Sequence, residues 1–277
     1  MLINIKQILK SKLGNKVDMI PSFAVNCLMR LIHQDEINDI IVKFNDLTGI
    51  DFMNALIGYF NINLIIKNED NFPKDGQRYI FVSNHPLGGL DGICLSAIIG
   101  NHYDKKIRYL VNDLLLNIPN LQSIFVPVNK HGTQNRASVK KIEEAYSSEN
   151  QIITFPAGLC SRKRRGKICD LEWKKSFIQK AIEYKRNIVP IYFEGKNSDF
   201  FYRFSDFRKL FGIKFNLEML LLPNEMFRNR DNTFSITVGN PVSYKTFDTS
   251  RKPAEWAEII KKTVYKHADN IEKTCNR

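Results

Sequence analysis

The decisive stretch is Tyr79-Ile80-Phe81-Val82-Ser83-Asn84-His85-Pro86-Leu87-Gly88-Gly89-Leu90-Asp91-Gly92. Its first five residues form a short apolar run, rich in aromatic and β-branched side chains, that reads as a buried strand. Pro86, Gly88, Gly89 and Gly92 then break the chain into a loop, and the apolar residues up to Tyr103 read as a buried helix. Asp91 is the single formally charged residue between Tyr79 and Tyr103. A carboxylate in apolar surroundings is costly unless paired, and the nearest suitable partner is His85. Six residues on an ideal helix do not share a face, but the proline and glycines make this connection irregular. A histidine held by a carboxylate keeps one tautomer and can take a proton from a nucleophile. The bland alternative is a structural His–Asp contact. Against it stands the position, because open α/β sheets place their sites in loops at strand ends.

Outward from this stretch, β-rich runs alternate with helical periodicity. The expected strands are 64–67, 79–83, 107–111, 124–128, 151–155, 188–193 and 234–238. In 172–186, Trp173, Phe177, Ile178, Ala181 and Ile182 form an apolar stripe. In 253–271, Pro253 sits at a helix start, and Trp256, Ile260, Val264, His267 and Ile271 follow at helical spacing. Residues 1–60 read as helices at 2–13, 22–33, 35–46 and 51–60. The expected architecture is α/β, a central mostly parallel sheet flanked by helices, with an N-terminal helical segment at 1–60 and an α/β domain at 61–277.

With 277 residues, 43% of them hydrophobic and 25% charged, the chain has room for a large core and no signature of disorder. Its 41 Lys+Arg against 29 Asp+Glu give a formal charge of +12, which points to anionic partners: nucleic acid, a membrane surface or an acidic protein. The five cysteines, Cys27, Cys94, Cys160, Cys169 and Cys275, show neither redox nor zinc spacing and read as free thiols in a reducing compartment. His33, His102, His131 and His267 follow no metal-ligand pattern, so no metal or cofactor is expected. There is no signal-peptide pattern, and no stretch is expected to span a membrane. Leu2, Ile5, Leu9 and Leu13 with Lys6, Lys10, Lys12 and Lys16 suit either an interfacial anchor or a helix docked on its own domain.

The motif His85 to Asp91, preceded by Asn84, resembles the signature of the PlsC-like glycerolipid acyltransferases, the lysophospholipid acyltransferase superfamily. It is closest to the branch written N-H-P-x-G-G-x-[DE]-G, which has one extra residue between His and Asp. Phe155-Pro156-Ala157-Gly158 resembles that superfamily's F-P-E-G block. Ile188-Val189-Pro190-Ile191 and three blocks further on, Gly195 to Tyr202, Leu222 to Glu225 and Val238 to Pro241, also resemble the branch, so the likeness covers about residues 60–245. The resemblance implies that His85 deprotonates the acceptor, Asp91 orients it, and an acyl carrier protein or CoA thioester is attacked. It implies substrate contacts from Asn84, Gly88, Gly89, Phe155, Pro156, Ala157 and Gly158. Backbone N–H groups at Gly88–Gly89 or Gly158 are candidate oxyanion donors.

Two departures bear on the acceptor. Ala157 replaces the usual Glu, and Ile124-Phe125-Val126-Pro127-Val128-Asn129 lacks the phosphate-contacting Arg of the second motif; Arg136 lies further on. The resembled branch includes N-acyltransferases that make glycine or ornithine-type lipids. The expected reaction is therefore N-acylation of a small amino acid, glycine first, with lysophosphatidate O-acylation as the alternative. A non-catalytic basic protein binding membranes or nucleic acid is the rival outside enzymes. Arg162-Lys163-Arg164-Arg165-Gly166-Lys167 is either a solvated face or the seat of the acidic carrier protein or CoA phosphates, with Arg162, Arg164 and Arg165 as contacts. Phe200, Phe201, Tyr202, Phe204, Phe207 and Phe211, mixed with basic residues, suit core packing, an acyl channel or insertion among headgroups. The positive charge flanks apolar or motif residues, so an anionic membrane surface is expected and nucleic acid is not. The expected location is cytoplasmic, peripheral on the inner face of the cell membrane.

Overall fold

The computed structural model describes residues 2–14, 21–128, 136–164, 166–212 and 216–267. Asn129, His131, Arg165, Ile271 and Cys275 lie outside them. Four helices come first: α1 (Ile5–Leu13), α2 (Ser22–Leu31), α3 (Gln34–Lys43) and α4 (Gly49–Tyr59). Then follow β1 (Asn63–Lys67), β2 (Tyr79–Ser83), α5 (Leu90–His102), β3 (Ile107–Val111), β4 (Phe125–Pro127), α6 (Arg136–Ser147) and β5 (Gln151–Thr154). A hairpin of β6 (Arg162–Arg164) and β7 (Lys167–Cys169) precedes α7 (Ser176–Glu183) and β8 (Asn187–Phe193). The chain continues through α8 (Asp199–Leu210), α9 (Leu222–Arg228), β9 (Thr233–Val238) and α10 (Pro253–Lys266).

Seven strands form one sheet in the order β1-β9-β8-β2-β5-β3-β4. Every pairing is parallel except β8 with β9. The central strands are apolar on both faces because helices cover both. Tyr79 and Phe81 of β2 join one core with Ile153, Val189, Ile191 and helix α5, while Ile80 and Val82 join another with Ile152, Ile188, Phe177 of α7 and Ile260 of α10. Each such buried side chain contributes about 1.5–3 kcal/mol. Ile40, Ile50, Phe52, Met53 and Leu56 of α3 and α4 enter the first of these cores.

The seven expected strands are the seven strands of this sheet, with no end shifted by more than one residue. Ile182 departs from the expected stripe: it is exposed, while Trp173, Phe177, Ile178 and Ala181 are buried. Helix α1 is docked on its own chain through Asn38 and Gln34, which accept hydrogen bonds from the backbone of Ile3 and Ile5. Among the described residues, no helix is long and apolar enough to cross a membrane.

Candidate active site

Strand β2 lies between parallel neighbours β8 and β5, and its carboxyl end delivers Asn84 and His85 into the loop before α5. Asn84 continues the strand's pairing with its side chain: its Nδ2 donates to the Phe193 carbonyl at 2.8 Å, and its Oδ1 accepts from the Phe193 N–H at 2.7 Å. Both ends of the amide are committed to β8, so the expected substrate contact becomes a latch that fixes where the loop leaves the sheet.

His85 and Asp91 meet. His85 Nδ1 lies 2.9 Å from Asp91 Oδ2, with the carboxylate fully buried. The same oxygen accepts from the Leu87 N–H at 2.9 Å and the Gly88 N–H at 3.3 Å, while Oδ1 accepts from the Gly92 N–H at 2.9 Å. These donors offset the cost of burying a carboxylate. The ionised carboxylate can only accept, so Nδ1 carries the hydrogen and Nε2 keeps its lone pair. The His85 ring stacks on Phe155, with centroids 4.1 Å apart, and Phe155 packs edge-on against Tyr109. The imidazole is thereby fixed in both plane and tautomer.

Glycine is required at two places, one in this loop and one in the first turn of α5. Gly88 has φ of +76°, and a Cβ there would lie 2.7 Å from Leu222 Cδ1 and 3.0 Å from Cys160 Cβ. At Gly92 a Cβ would sit 2.3 Å from the Tyr109 hydroxyl. Gly92→Ala is therefore expected to displace Tyr109, which braces Phe155 behind the imidazole, and to lower stability by about 1–3 kcal/mol. Thermal unfolding together with steady-state rates measures both effects.

The other motif residues divide. Phe155 is at His85, but Ala157 packs into the second core with Ile80, Val82 and Trp173, and Pro156 offers its carbonyl to the Lys174 N–H. The Gly158 N–H donates to the Phe155 carbonyl and the Gly88 N–H is committed to Asp91, so of the expected oxyanion donors Gly89, at the N-cap of α5, remains the candidate. The basic run is a β-hairpin. Arg162 points inward, 3% exposed, with Nη2 2.8 Å from Glu218 Oε1. Glu218 also pairs with Arg208, 2.7 Å from its Nε. Arg162 is thus a core ion-pair member rather than a surface contact for carrier protein or CoA, because Glu218 draws it inward, while Arg164 at the end of the same strand is exposed.

Asp170 is the residue the sequence did not mark. It is 4% exposed, and its Oδ1 accepts from the His85 N–H at 3.2 Å and the Ser161 hydroxyl at 2.6 Å, while Oδ2 accepts from Trp173 Nε1 at 2.9 Å. The His85 carbonyl in turn accepts from the Ser161 N–H at 2.7 Å. The peptide of His85 is gripped from both sides. Burial raises the Asp170 carboxyl above its ordinary range against the opposing pull of Ser161 and Trp173. Helix α10 holds the segment from behind: the Asp170 N–H donates to the Tyr265 hydroxyl, and Lys261 donates to the carbonyls of Asp170 and Leu171. Only a weak signal existed, an Asp three residues before a Trp. Asp170→Asn turns an amide N–H₂ toward the Trp173 indole N–H. This variant is expected to lose about 1–3 kcal/mol of stability, with a smaller loss in a Trp173→Phe background, as thermal unfolding of the four variants reveals. The buried Cys160 thiol, pushed up to about 11 by desolvation, is no nucleophile at neutral pH.

A family model described as "Acyltransferase" matches residues 7–273. Over 265 residues the chain is 48% identical to the lyso-glycine lipid O-acyltransferase of Phocaeicola vulgatus, covering 96% of this chain and 95% of that protein. It is also 48% identical to the protein of the same name from Bacteroides thetaiotaomicron, covering 96% and 97%. Its fold is similar to that of the 1-acyl-sn-glycerophosphate acyltransferase PlsC from Thermotoga maritima, with a TM-score of 0.50 and 18% identity over 78% of this chain and 77% of that one. With a PlsC-like sheet and near-full-length relatives of one activity class, the chain belongs to the acyltransferase family and is an acyltransferase.

Proposed function

We propose that the protein transfers a fatty acyl chain from an acyl thioester to the hydroxyl group of a lyso-glycine lipid. The observation that carries this reading is the 48% identity, over nearly the whole chain, to two proteins named for that reaction. It favours a hydroxyl acceptor over the free glycine amine expected from the motif, and keeps glycine as a feature of the lipid. The likeness to PlsC concerns the fold and does not argue for a phosphate-bearing acceptor.

The geometry of His85 and Asp91 supplies the chemistry. Nε2 takes the hydroxyl proton as the oxygen attacks the thioester carbon, and the imidazolium is stabilised by Asp91 across the 2.9 Å contact. The tetrahedral intermediate collapses with cleavage of the C–S bond, and the departing thiolate recovers the proton from Nε2. Asp170, Ser161 and Phe155 act as positioning residues for His85. The donor is acyl carrier protein or acyl-CoA, and exposed Arg164 remains a candidate contact for its phosphates. The enzyme works on the inner face of the cell membrane, where thioester donors and a lipid acceptor meet.

Purified protein offered a labelled acyl thioester with lyso-glycine lipid, free glycine or lysophosphatidate tests this assignment. Transfer to the lyso-glycine lipid in strong preference is expected. Transfer to free glycine or lysophosphatidate with none to the lyso-glycine lipid overturns it.

A further inference from the structure

We propose that the exposed aromatic row of α8, with the cationic β6–β7 hairpin beside it, is the surface by which the protein docks on an anionic lipid bilayer. The proposal deepens the reading of the acceptor as a membrane lipid and rests on it.

Helix α8 is amphipathic in an unusual sense, since both of its faces carry aromatic side chains. Phe201, Tyr202, Ser205 and Arg208 are buried. Phe200, Phe204, Phe207 and Phe211 follow at spacings of four, three and four, which places them along one stripe. Phe200 is 61% exposed, Phe207 59% and Phe211 63%, and Leu210 beside them is 82% exposed. The rings pair along the stripe, with Phe200 stacked on Phe204 and Phe207 4.5 Å from Phe211. Of thirteen large hydrophobic side chains exposed among the described residues, six fall between Phe200 and Leu220. An apolar concentration of this kind marks an interaction surface rather than scattered exposure.

Charge selects the occupant. Arg203 and Lys209 are exposed on the same helix. The hairpin is tied to its first turn by the 3.3 Å ion pair of Lys163 with Asp199, and Arg164 is exposed next to Lys163. Aromatic rings flanked by Arg and Lys on a chain of net charge +12 complement an apolar layer beneath anionic headgroups. The row is a convex helix face, which fits a planar bilayer better than a groove-seated peptide. Its place also suits the reaction. Asn197, just before α8, donates from Nδ2 to the Pro86 carbonyl, and Phe201 and Tyr202 cluster with Cys160 beneath the Gly88 turn. A bilayer touching α8 is adjacent to the loop that carries His85.

The test uses the full chain and vesicles of phosphatidylglycerol and phosphatidylcholine that contain no glycine lipid. Wild type is expected to co-sediment with the anionic vesicles and to be released by salt. Phe200→Ser/Phe207→Ser/Phe211→Ser is expected to bind at least about tenfold more weakly, with its thermal transition and its rate on detergent-dispersed acceptor retained. Phe207→Trp serves as a second variant that removes no apolar surface. Its indole emission is expected to shift to the blue on vesicle addition, against the buried background of Trp173 and Trp256. Binding equal to wild type in the triple variant, or an unshifted indole in vesicle-bound Phe207→Trp, overturns the proposal. So does a dimer that the triple variant dissociates while vesicle binding persists, since the stripe then faces a second copy. Because the vesicles hold no acceptor, binding without acyl transfer overturns only the acceptor assignment, and transfer without stripe-dependent binding overturns only the docking surface.

Discussion

His85→Ala is expected to lower the rate of acyl transfer by about 10²–10⁴-fold, the range a positioned general base supplies. Its effect on folding is expected to be small, because without the imidazole the Asp91 carboxylate still accepts from the backbone N–H groups of Leu87, Gly88 and Gly92. Asp91→Asn differs in a diagnostic way. The Asp91 carboxylate gathers the His85 ring and three backbone N–H groups. An amide at that position turns its own N–H₂ group toward donors. This variant therefore loses activity and stability together, while His85→Ala loses activity alone. Steady-state rates and thermal unfolding on the two variants separate the roles. An active His85→Ala protein contradicts the proposed base, and an undiminished transition temperature in Asp91→Asn contradicts the account of the loop.

Glu218→Ala is expected to be the most destabilising single change, by about 3–5 kcal/mol, because removing one partner of a buried ion pair leaves an uncompensated charge. Here it leaves two. Glu218 is fully buried between Arg162 and Arg208, themselves 3% and 6% exposed, and the guanidinium of Arg162 lies 5.6 Å from the Phe201 ring. Without the carboxylate, two cations face each other beneath α8 and the hairpin. At about 2–4 °C per kcal/mol for a chain near this size, the transition is expected to fall by roughly 10 °C. Replacing all three residues by Met and Leu is expected to recover most of that loss, since a packed apolar core substitutes well for a buried ion pair. A Glu218→Ala transition within about 2 °C of wild type contradicts the reading, because a displacement that small is less than 1 kcal/mol.

The sheet was legible because its strands are near-continuous apolar runs bounded by turn residues, as in Tyr79–Ser83 and Asn187–Phe193. The His85–Asp91 contact was legible because a lone carboxylate in an apolar stretch demands a partner close in sequence. Long-range polar contacts were not. The Asp170 carboxylate reaches a backbone N–H 85 residues away, and Glu218 reaches Arg162 across 56 residues. Nothing local announces either pairing. The hairpin was hidden for a different reason: Arg162, Lys163 and Arg164 of β6 are all basic, so nothing local separates buried Arg162 from exposed Arg164. Asn84 and Ala157 show that a motif residue can be structural, one latching β2 to β8 and the other filling the core. The aromatic segment at 200–211 meets the expectation of core packing in part, with Phe201 and Tyr202 packed inside and Phe200, Phe207 and Phe211 outside.

The most direct measurement is the bond made by the enzyme. Wild type and His85→Ala are incubated with labelled acyl thioester and lyso-glycine lipid, and the product is treated with mild alkali before mass spectrometry. The account predicts a diacylated glycine lipid whose newly added chain is released by alkali as an ester, and its loss in His85→Ala. An alkali-stable amide, or the same ester formed at full rate without His85, contradicts it.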